Sequence, residues 1–120
     1  MKGRTAILGL FQHAHKAYQY PLKALWKERA YTDPPVRMTI AVPKRLIKSA
    51  VTRNLLKRRT REAYRRQKHA LIDQCNTLER GIDILFLYQD KEVKEYQLIK
   101  SSVDILLQRV EKEMKSDRSR

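Results

Sequence analysis

The spacing of hydrophobic and polar positions changes along the chain, and each spacing predicts a type of element. Residues 4–14 place apolar side chains three and four residues apart, which predicts a short helix. Residues 16–29 alternate apolar with polar side chains and predict extended structure, with Pro21 marking an edge or a break. Residues 36–43 alternate again, are rich in β-branched side chains, and predict a strand that ends at Pro43.

The second half of the chain predicts two helices on either side of a strand. A helical period runs over residues 49–68, with Ser49 as the predicted N-cap. The run GIDILFLY at 81–88 is almost wholly apolar and predicts a strand buried on both faces. Apolar residues then recur at helical spacing and predict an amphipathic helix: Ile99, Val103, Leu106, Val110 and Met114. The last residues, 115–120, are polar and predict a disordered tail.

These elements predict an α+β fold in the order αβββαβα. The expected architecture is one central sheet of about four strands with three helices packed on it. A chain of 120 residues most simply forms one domain, here 1–120, and can bury a core without disulfides. Neither repeats nor a linker divide it.

The charge of the chain limits its partners. The sequence has 27 basic and 13 acidic residues, a net charge of +14, and such an excess attracts nucleic acid or an anionic membrane. Cys75 is the single cysteine, so no internal disulfide forms, which suits a reducing compartment. No apolar run approaches the roughly 18 residues of a membrane span, and the first residues lack the apolar core of a secretory signal. We therefore predict a cytoplasmic protein that does not bind membranes.

The positive charge is concentrated on the helix predicted over residues 49–68. Residues 44–68 contain eleven basic side chains and one acid, Glu62. On a helical wheel the following side chains fall within an arc of about 140°: Arg53, Asn54, Lys57, Arg58, Arg61 and Arg65. The remaining side is expected to pack on the sheet through Leu55, Leu56, Thr60, Ala63 and Tyr64.

A solvated helix face is the simplest alternative for these charges. Like charges at helical spacing destabilise an isolated helix, however, and Glu62 is the only acid available to offset them. Arginine also suits bidentate contacts with phosphate groups. The helix lacks a broad aromatic face that could enter lipid. We therefore predict that the basic face binds nucleic acid.

The stretch RNLLKRRTREAYR at 53–65 resembles the Arg-Asn-x-x-Lys-Arg-x-x-Arg-Glu signature of the bacterial ribonuclease P protein component. The preceding RMTIAVPKRLIKSAV at 37–51 is similar to that family's strand and helix entry, and the similarity extends over residues 7–112. The resemblance implies a small α–β sandwich with a left-handed βαβ crossover. It also implies a protein, monomeric when free, that binds ribonuclease P RNA and the 5′ leader of precursor tRNA. Cleavage would come from the RNA subunit with its Mg²⁺.

The resemblance also implies two sets of site residues. The expected RNA-binding set, to which the charge pattern adds Arg65, is Lys44, Arg45, Arg53, Asn54, Lys57, Arg58, Arg61 and Arg65. The expected leader cleft contains Phe11, Tyr20, Lys23 and Trp26. A shift of one residue would put Leu25 in place of Trp26, and packing in the core is the alternative for Phe11 and for Trp26. Leu55 stands where the family signature usually has a third basic residue, which Arg59 could replace.

No catalytic or metal-binding constellation is recognisable in the sequence. His13 and His15 would lie on different sides of a helix, and no third ligand follows at a metal-binding spacing. Because Asp83 lies in an apolar strand, we expect it to make a structural hydrogen bond, and we expect Cys75 to be an inert thiol. The prediction is therefore a protein without catalytic side chains.

Two other functions are alternatives to a ribonuclease P subunit. The first is a ribosomal or ribosome-assembly RNA-binding protein, and the second is a protein-only nuclease.

Overall fold

A computed structural model describes residues 14–118, with side chains as far as residue 115. The helix predicted over 4–14 lies outside the described residues except for Ala14, and so does the predicted cleft residue Phe11.

Four strands form one mixed sheet, as predicted. They are β1 (His15–Gln19), β2 (Leu22–Arg29), β3 (Val36–Ala41) and β4 (Gly81–Tyr88). The strand order is β1-β2-β4-β3, in which β3 and β4 are parallel and the other pairs antiparallel. The extended stretch predicted over 16–29 is divided at Tyr20 and Pro21, because proline cannot donate a hydrogen bond to a neighbouring strand.

Three helices are described: α1 (Ala50–Gln67), α2 (His69–Leu78) and α3 (Tyr96–Arg118). Ser49 caps α1 as predicted, because its Oγ accepts a hydrogen bond from the Thr52 N–H at 3.2 Å. Helix α2 was not predicted from the sequence. The polar tail predicted from residue 115 is helical as far as Arg118, because α3 continues to that residue.

The sheet has two different faces. On the first, the core face, α1, α2 and α3 bury the apolar side chains Leu22, Ala24, Trp26, Ile82, Ile84, Phe86 and Tyr88. The other, the far face, has a smaller buried cluster of Leu25 and Leu85, with Ala14 and Ala41 packed against it. Strand β4 is therefore buried on both faces, as its continuous apolar run predicted. Helices α1 and α2 connect the parallel pair β3–β4, which is where the resemblance implies a left-handed crossover.

Candidate nucleic-acid interface

Packing against α3 and the core face of the sheet fixes which side of α1 is buried. The helix buries Leu56, Thr60, Ala63 and Tyr64, as predicted. Leu55 is only half-buried, so the prediction that it belongs to the packed side is wrong. The four buried residues form one stripe along α1, and Leu55 lies outside this stripe, toward the solvent side of the helix.

The opposite side of α1 carries the unpaired cations. Asn54, Arg58 and Arg61 are exposed, and Lys57 is half-buried. The α1 cations with side-chain hydrogen bonds are Arg53, Arg59, Arg65 and Arg66. Within the described residues, Lys57, Arg58 and Arg61 therefore have neither a hydrogen-bond partner nor a counter-ion. Their charges remain available to an external polyanion.

A turn in the loop before α1 presents further cations. The N–H groups of Leu46 and Ile47 both donate to the carbonyl oxygen of Pro43 at 3.1 Å, and Ile47 is buried. This turn leaves Lys44 and Arg45 exposed. We use the name basic surface for Lys44, Arg45, Asn54, Lys57, Arg58 and Arg61.

Arg53 contributes to the shape of this surface. Its Nη1 donates to the carbonyl oxygens of Ile47 and Lys48, at 2.9 and 2.8 Å. The side chain thereby ties the first turn of α1 to the loop that carries Lys44 and Arg45. The sequence predicted an RNA contact for Arg53 and gave no sign of this structural role.

Arg65 is paired within the protein. It donates to both carboxylate oxygens of Glu62, from Nε at 3.0 Å and from Nη2 at 2.8 Å, and Arg66 Nε donates to the same carboxylate at 2.8 Å. The hydrogen bonds from Arg65 and then Arg66 lower the pKa of Glu62 to about 2. An RNA phosphate that binds Arg65 would therefore have to compete with the Glu62 carboxylate. Arg58 and Arg61 have no such competing carboxylate among the described residues.

Arg59 does not replace the basic residue that the family signature usually has at the position of Leu55. Its half-buried guanidinium donates from Nη1 to the carbonyl oxygen of Lys94 at 2.7 Å, in the loop between β4 and α3. This contact holds Arg59 against the protein rather than beside the basic surface.

Trp26 is a core residue, and its prediction as a cleft aromatic is wrong. The side chain is fully buried on the core face, its Nε1 donates to Glu113 Oε1 at 3.2 Å, and the His15 ring stacks on it at 4.3 Å between centroids. Side chains alternate between the two faces of a strand, so Trp26 and Lys23, three residues apart, lie on opposite faces. The alternative register is the one observed, because Leu25 shares the far face with Lys23.

Tyr20 lies in the turn between β1 and β2 and is engaged by the loop that follows β4. Its hydroxyl donates to the Asp90 carboxylate, and Lys94 Nζ lies 5.7 Å from the centre of its ring. The ring is exposed but already has a cation beside it. The structure therefore groups Tyr20 with Asp90 and Lys94 rather than with Trp26.

The far face presents an aromatic side chain that sequence reasoning missed. Tyr18 is 52% exposed and pairs across the strands with Lys23. Residues paired in register share a side of the sheet, and so do alternate residues of one strand. Further cations therefore lie on the far face. We use the name far-face patch for Lys16, Tyr18, Lys23, Lys27 and Arg37. The alternation in HKAYQ was the signal that could have revealed Tyr18.

Comparison with known proteins decides the family. A family model described as Ribonuclease P matches residues 1–111. The chain belongs to the ribonuclease P family. It is 42% identical over 62 residues to the ribonuclease P protein component of Aliivibrio salmonicida, covering 52% of this chain and 51% of the relative. It is 28% identical over 112 residues to that of Porphyromonas gingivalis, covering 89% and 79%. The match to the Aliivibrio relative thus spans about half of that protein's length.

Solved structures of ribonuclease P proteins share the fold. The protein from Thermotoga maritima superposes with a TM-score of 0.67 at 23% identity, covering 88% of this chain and 92% of that one. The Staphylococcus aureus protein gives a TM-score of 0.63 at 18% identity, covering 88% and 89%. The α+β fold with its four-stranded mixed sheet is therefore that of the ribonuclease P proteins.

The other chemically interesting groups of this ribonuclease P chain have structural roles. Asp83 accepts a hydrogen bond from Arg29 Nε at 2.8 Å, as its structural interpretation predicted. Cys75 is buried, and burial raises the pKa of its thiol to about 11, consistent with an inert side chain. Among the described residues, no group of three or more His, Cys, Asp or Glu side chains could hold a metal ion. None of the described helices is both long and apolar enough to span a membrane.

Proposed function

We propose that this chain is the protein subunit of ribonuclease P. It binds the ribonuclease P RNA through the basic surface and promotes removal of the 5′ leader from precursor tRNA. The RNA subunit, with its Mg²⁺, supplies the catalysis. The observation that carries the proposal is the set of α1 cations that have no partner among the described residues, in a chain that the Ribonuclease P family model matches over residues 1–111.

The chemistry of the basic surface suits an RNA backbone. The guanidinium groups of Arg58 and Arg61 can each bind a phosphate through two parallel hydrogen bonds, and Lys57 adds a point charge. Asn54 is exposed one helical turn before Arg58 and can bond a ribose or a base edge. Because the core fixes the buried side of α1, these groups project from a rigid element. Binding then requires little ordering of the protein.

Binding of cognate ribonuclease P RNA to the Arg58→Ala and Arg61→Ala variants tests the first part of the proposal. Lys112→Ala is the matched control, because Lys112 is exposed on α3 and its substitution removes the same charge. We expect each α1 variant to bind about 5-fold more weakly, the equivalent of about 1 kcal/mol. The log–log salt slope should fall by about one for each phosphate that the variant no longer neutralises. Variants that bind as the Lys112→Ala control does would refute the proposed interface.

We propose that the far-face patch holds the single-stranded leader. Single-stranded RNA binds where aromatic rings stack on bases and cations follow the phosphates. Tyr18 is suited to that role because its exposed ring lies beside Lys23. The hydroxyls of the other exposed tyrosines, Tyr20 and Tyr31, bond to Asp90 and Asn76. Phe11 remains a candidate from the sequence.

Binding of leader-bearing and mature tRNA to the reconstituted holoenzyme tests the leader site. Stacking contributes about 1–3 kcal/mol per base, so Tyr18→Ala should weaken precursor binding about 5-fold or more and leave mature tRNA binding unchanged. Tyr18→Trp should retain the affinity, and Tyr31→Ala is the control for removal of an exposed tyrosine. Equal losses of affinity for the two tRNAs with Tyr18→Ala would place the leader elsewhere.

A further inference from the structure

A groove of about 390 Å³ lies beside α1, outside the basic surface. It is lined by Glu62, Arg66, Tyr96, Gln97 and Lys100. The first two belong to the C-terminal half of α1, and the other three to the first turns of α3. The volume is within the range of pockets that hold small organic groups.

One wall of the groove is a guanidinium held in a fixed orientation. Arg66 Nε donates to Glu62 Oε2 at 2.8 Å, and no partner for its Nη groups is found among the described residues. The Arg66 side chain is 59% exposed, so this edge can reach a ligand. A guanidinium anchored at Nε needs little further ordering to bind an anion through its other nitrogens.

The opposite wall adds a second cation. Lys100 is half-buried and makes no ion pair within the part of the chain that the structure describes. Its carbonyl oxygen accepts a hydrogen bond from Gln67 Nε2 at 3.1 Å, which ties α3 to α1 beside the groove. Among the residues that line the groove, the two cations Arg66 and Lys100 exceed the single acid Glu62 by one charge.

Tyr96 provides an independent indication of a ligand. Its hydroxyl oxygen is buried and has no hydrogen-bond partner among the described residues. A buried polar group without a partner is costly, so such a hydroxyl is a place where an external acceptor can bind favourably. Tyr96 is itself one of the residues that line the groove, together with Arg66 and Lys100.

We propose that the groove binds one phosphodiester unit of the partner RNA, with Arg66 and Lys100 on the phosphate and the Tyr96 hydroxyl donating to the ligand. The inference rests on the proposed function and extends it, because it adds a contact on the α3 side of the signature helix. The groove lies on the same helix as Arg58 and Arg61, closer to the C-terminus of that helix.

The decisive experiment compares Lys100→Glu with Lys112→Glu. Both residues lie on α3, and the two variants have the same net charge, so a general electrostatic effect would be similar. Affinity for ribonuclease P RNA is measured at several salt concentrations. We expect Lys100→Glu to bind about 5- to 10-fold more weakly, with a salt slope lower by about one, and Lys112→Glu to change affinity less than about 2-fold. Equal effects of the two variants would refute the groove contact.

Two further measurements sharpen this test. Tyr96→Phe should weaken RNA binding at least about 2-fold without lowering the melting temperature, because the hydroxyl has no partner within the described chain. A lower melting temperature with unchanged binding would show a structural hydroxyl and contradict the proposal. Adenosine 5′-monophosphate at millimolar concentration should not displace the RNA from the protein. If it displaces RNA from wild type but not from Lys100→Glu, the groove is a site for free nucleotides and the proposal is refuted.

The groove and the proposed function can fail separately. If wild-type protein does not bind the RNA specifically, the proposed function is refuted and the groove contact with it. If Arg58→Ala weakens binding while Lys100→Glu behaves as Lys112→Glu does, the basic surface stands and the groove contact alone is refuted.

Discussion

Arg29 on β2 donates from Nε to Asp83 Oδ1 on β4 at 2.8 Å, and this pair joins two neighbouring strands of the sheet. The same guanidinium donates to the Thr32 hydroxyl at 2.5 Å and to the carbonyl oxygen of Pro35 at 3.3 Å. The backbone of Gly81 passes close beside it. A Cβ on Gly81 would clash with Arg29 Nη1 and would lie 2.5 Å from the carbonyl oxygen of Ala30.

We therefore expect Gly81→Ala to destabilise the fold. One of the two clashes is with backbone, which cannot swing away as a side chain can, so the cost should be about 1–3 kcal/mol of unfolding free energy. Urea unfolding measures it, with Thr77→Ala on the exposed side of α2 as the control. An unfolding midpoint equal to that of the control would show that the loop adjusts without cost.

Ser49→Ala should destabilise α1 at its first turn. The variant lacks the hydrogen bond from the Thr52 N–H to Ser49 Oγ, and removal of an N-cap typically costs about 1 kcal/mol. Ser101→Ala is the matched control, because Ser101 is an exposed serine inside α3, where alanine favours the helix. Urea unfolding of the two variants should give shifts of opposite sign. An unfolding midpoint of Ser49→Ala equal to or above that of wild type would mean that the cap contributes little.

The Glu62 ion pairs should produce a defined pH dependence. The folded-state pKa of about 2 is below the ordinary value of 4.5, so the ion pairs stabilise the fold above pH 4.5. This contribution is lost as pH falls through the folded-state pKa. The stability difference between wild type and Glu62→Gln should therefore shrink from pH 5 toward pH 2. An NMR titration of the Glu62 carboxyl with a midpoint near 4.5 would contradict the hydrogen bonds from Arg65 and Arg66.

The fold was predictable where a strong periodicity has one interpretation. The run at 81–88, the period of α1 and the Ser49 cap each specified an element that the structure contains. Helix α2 was missed although Leu71, Cys75 and Leu78 recur at helical spacing, and Leu71 and Cys75 are buried. Packing against α3 fixes it, for example through Gln74 Nε2, which donates to the carbonyl oxygen of Glu111 at 2.9 Å. Such long-range contacts have no local sequence signal.

The charge of the site was predictable from the sequence, but the hydrogen-bond partners of its arginine side chains within the protein were not. A helical wheel identifies Arg58 and Arg61 as exposed, because their exposure follows from the helix period. It cannot show that Arg53 bonds the Ile47 carbonyl, or that Arg59 bonds the Lys94 carbonyl, because those partners come from the fold. The resemblance placed Trp26 in the cleft only if the register was right, and strand alternation places it opposite Lys23.

Cleavage of precursor tRNA at a Mg²⁺ concentration too low for the RNA alone is the most direct test of the proposed function. The assay combines this protein with cognate ribonuclease P RNA and a leader-bearing substrate. We expect the wild-type protein to restore cleavage, Arg58→Ala to require several-fold more protein, and the protein without RNA to cleave nothing. Cleavage that the protein leaves unchanged, or cleavage by RNA-free protein, would contradict its role as the subunit of an RNA enzyme.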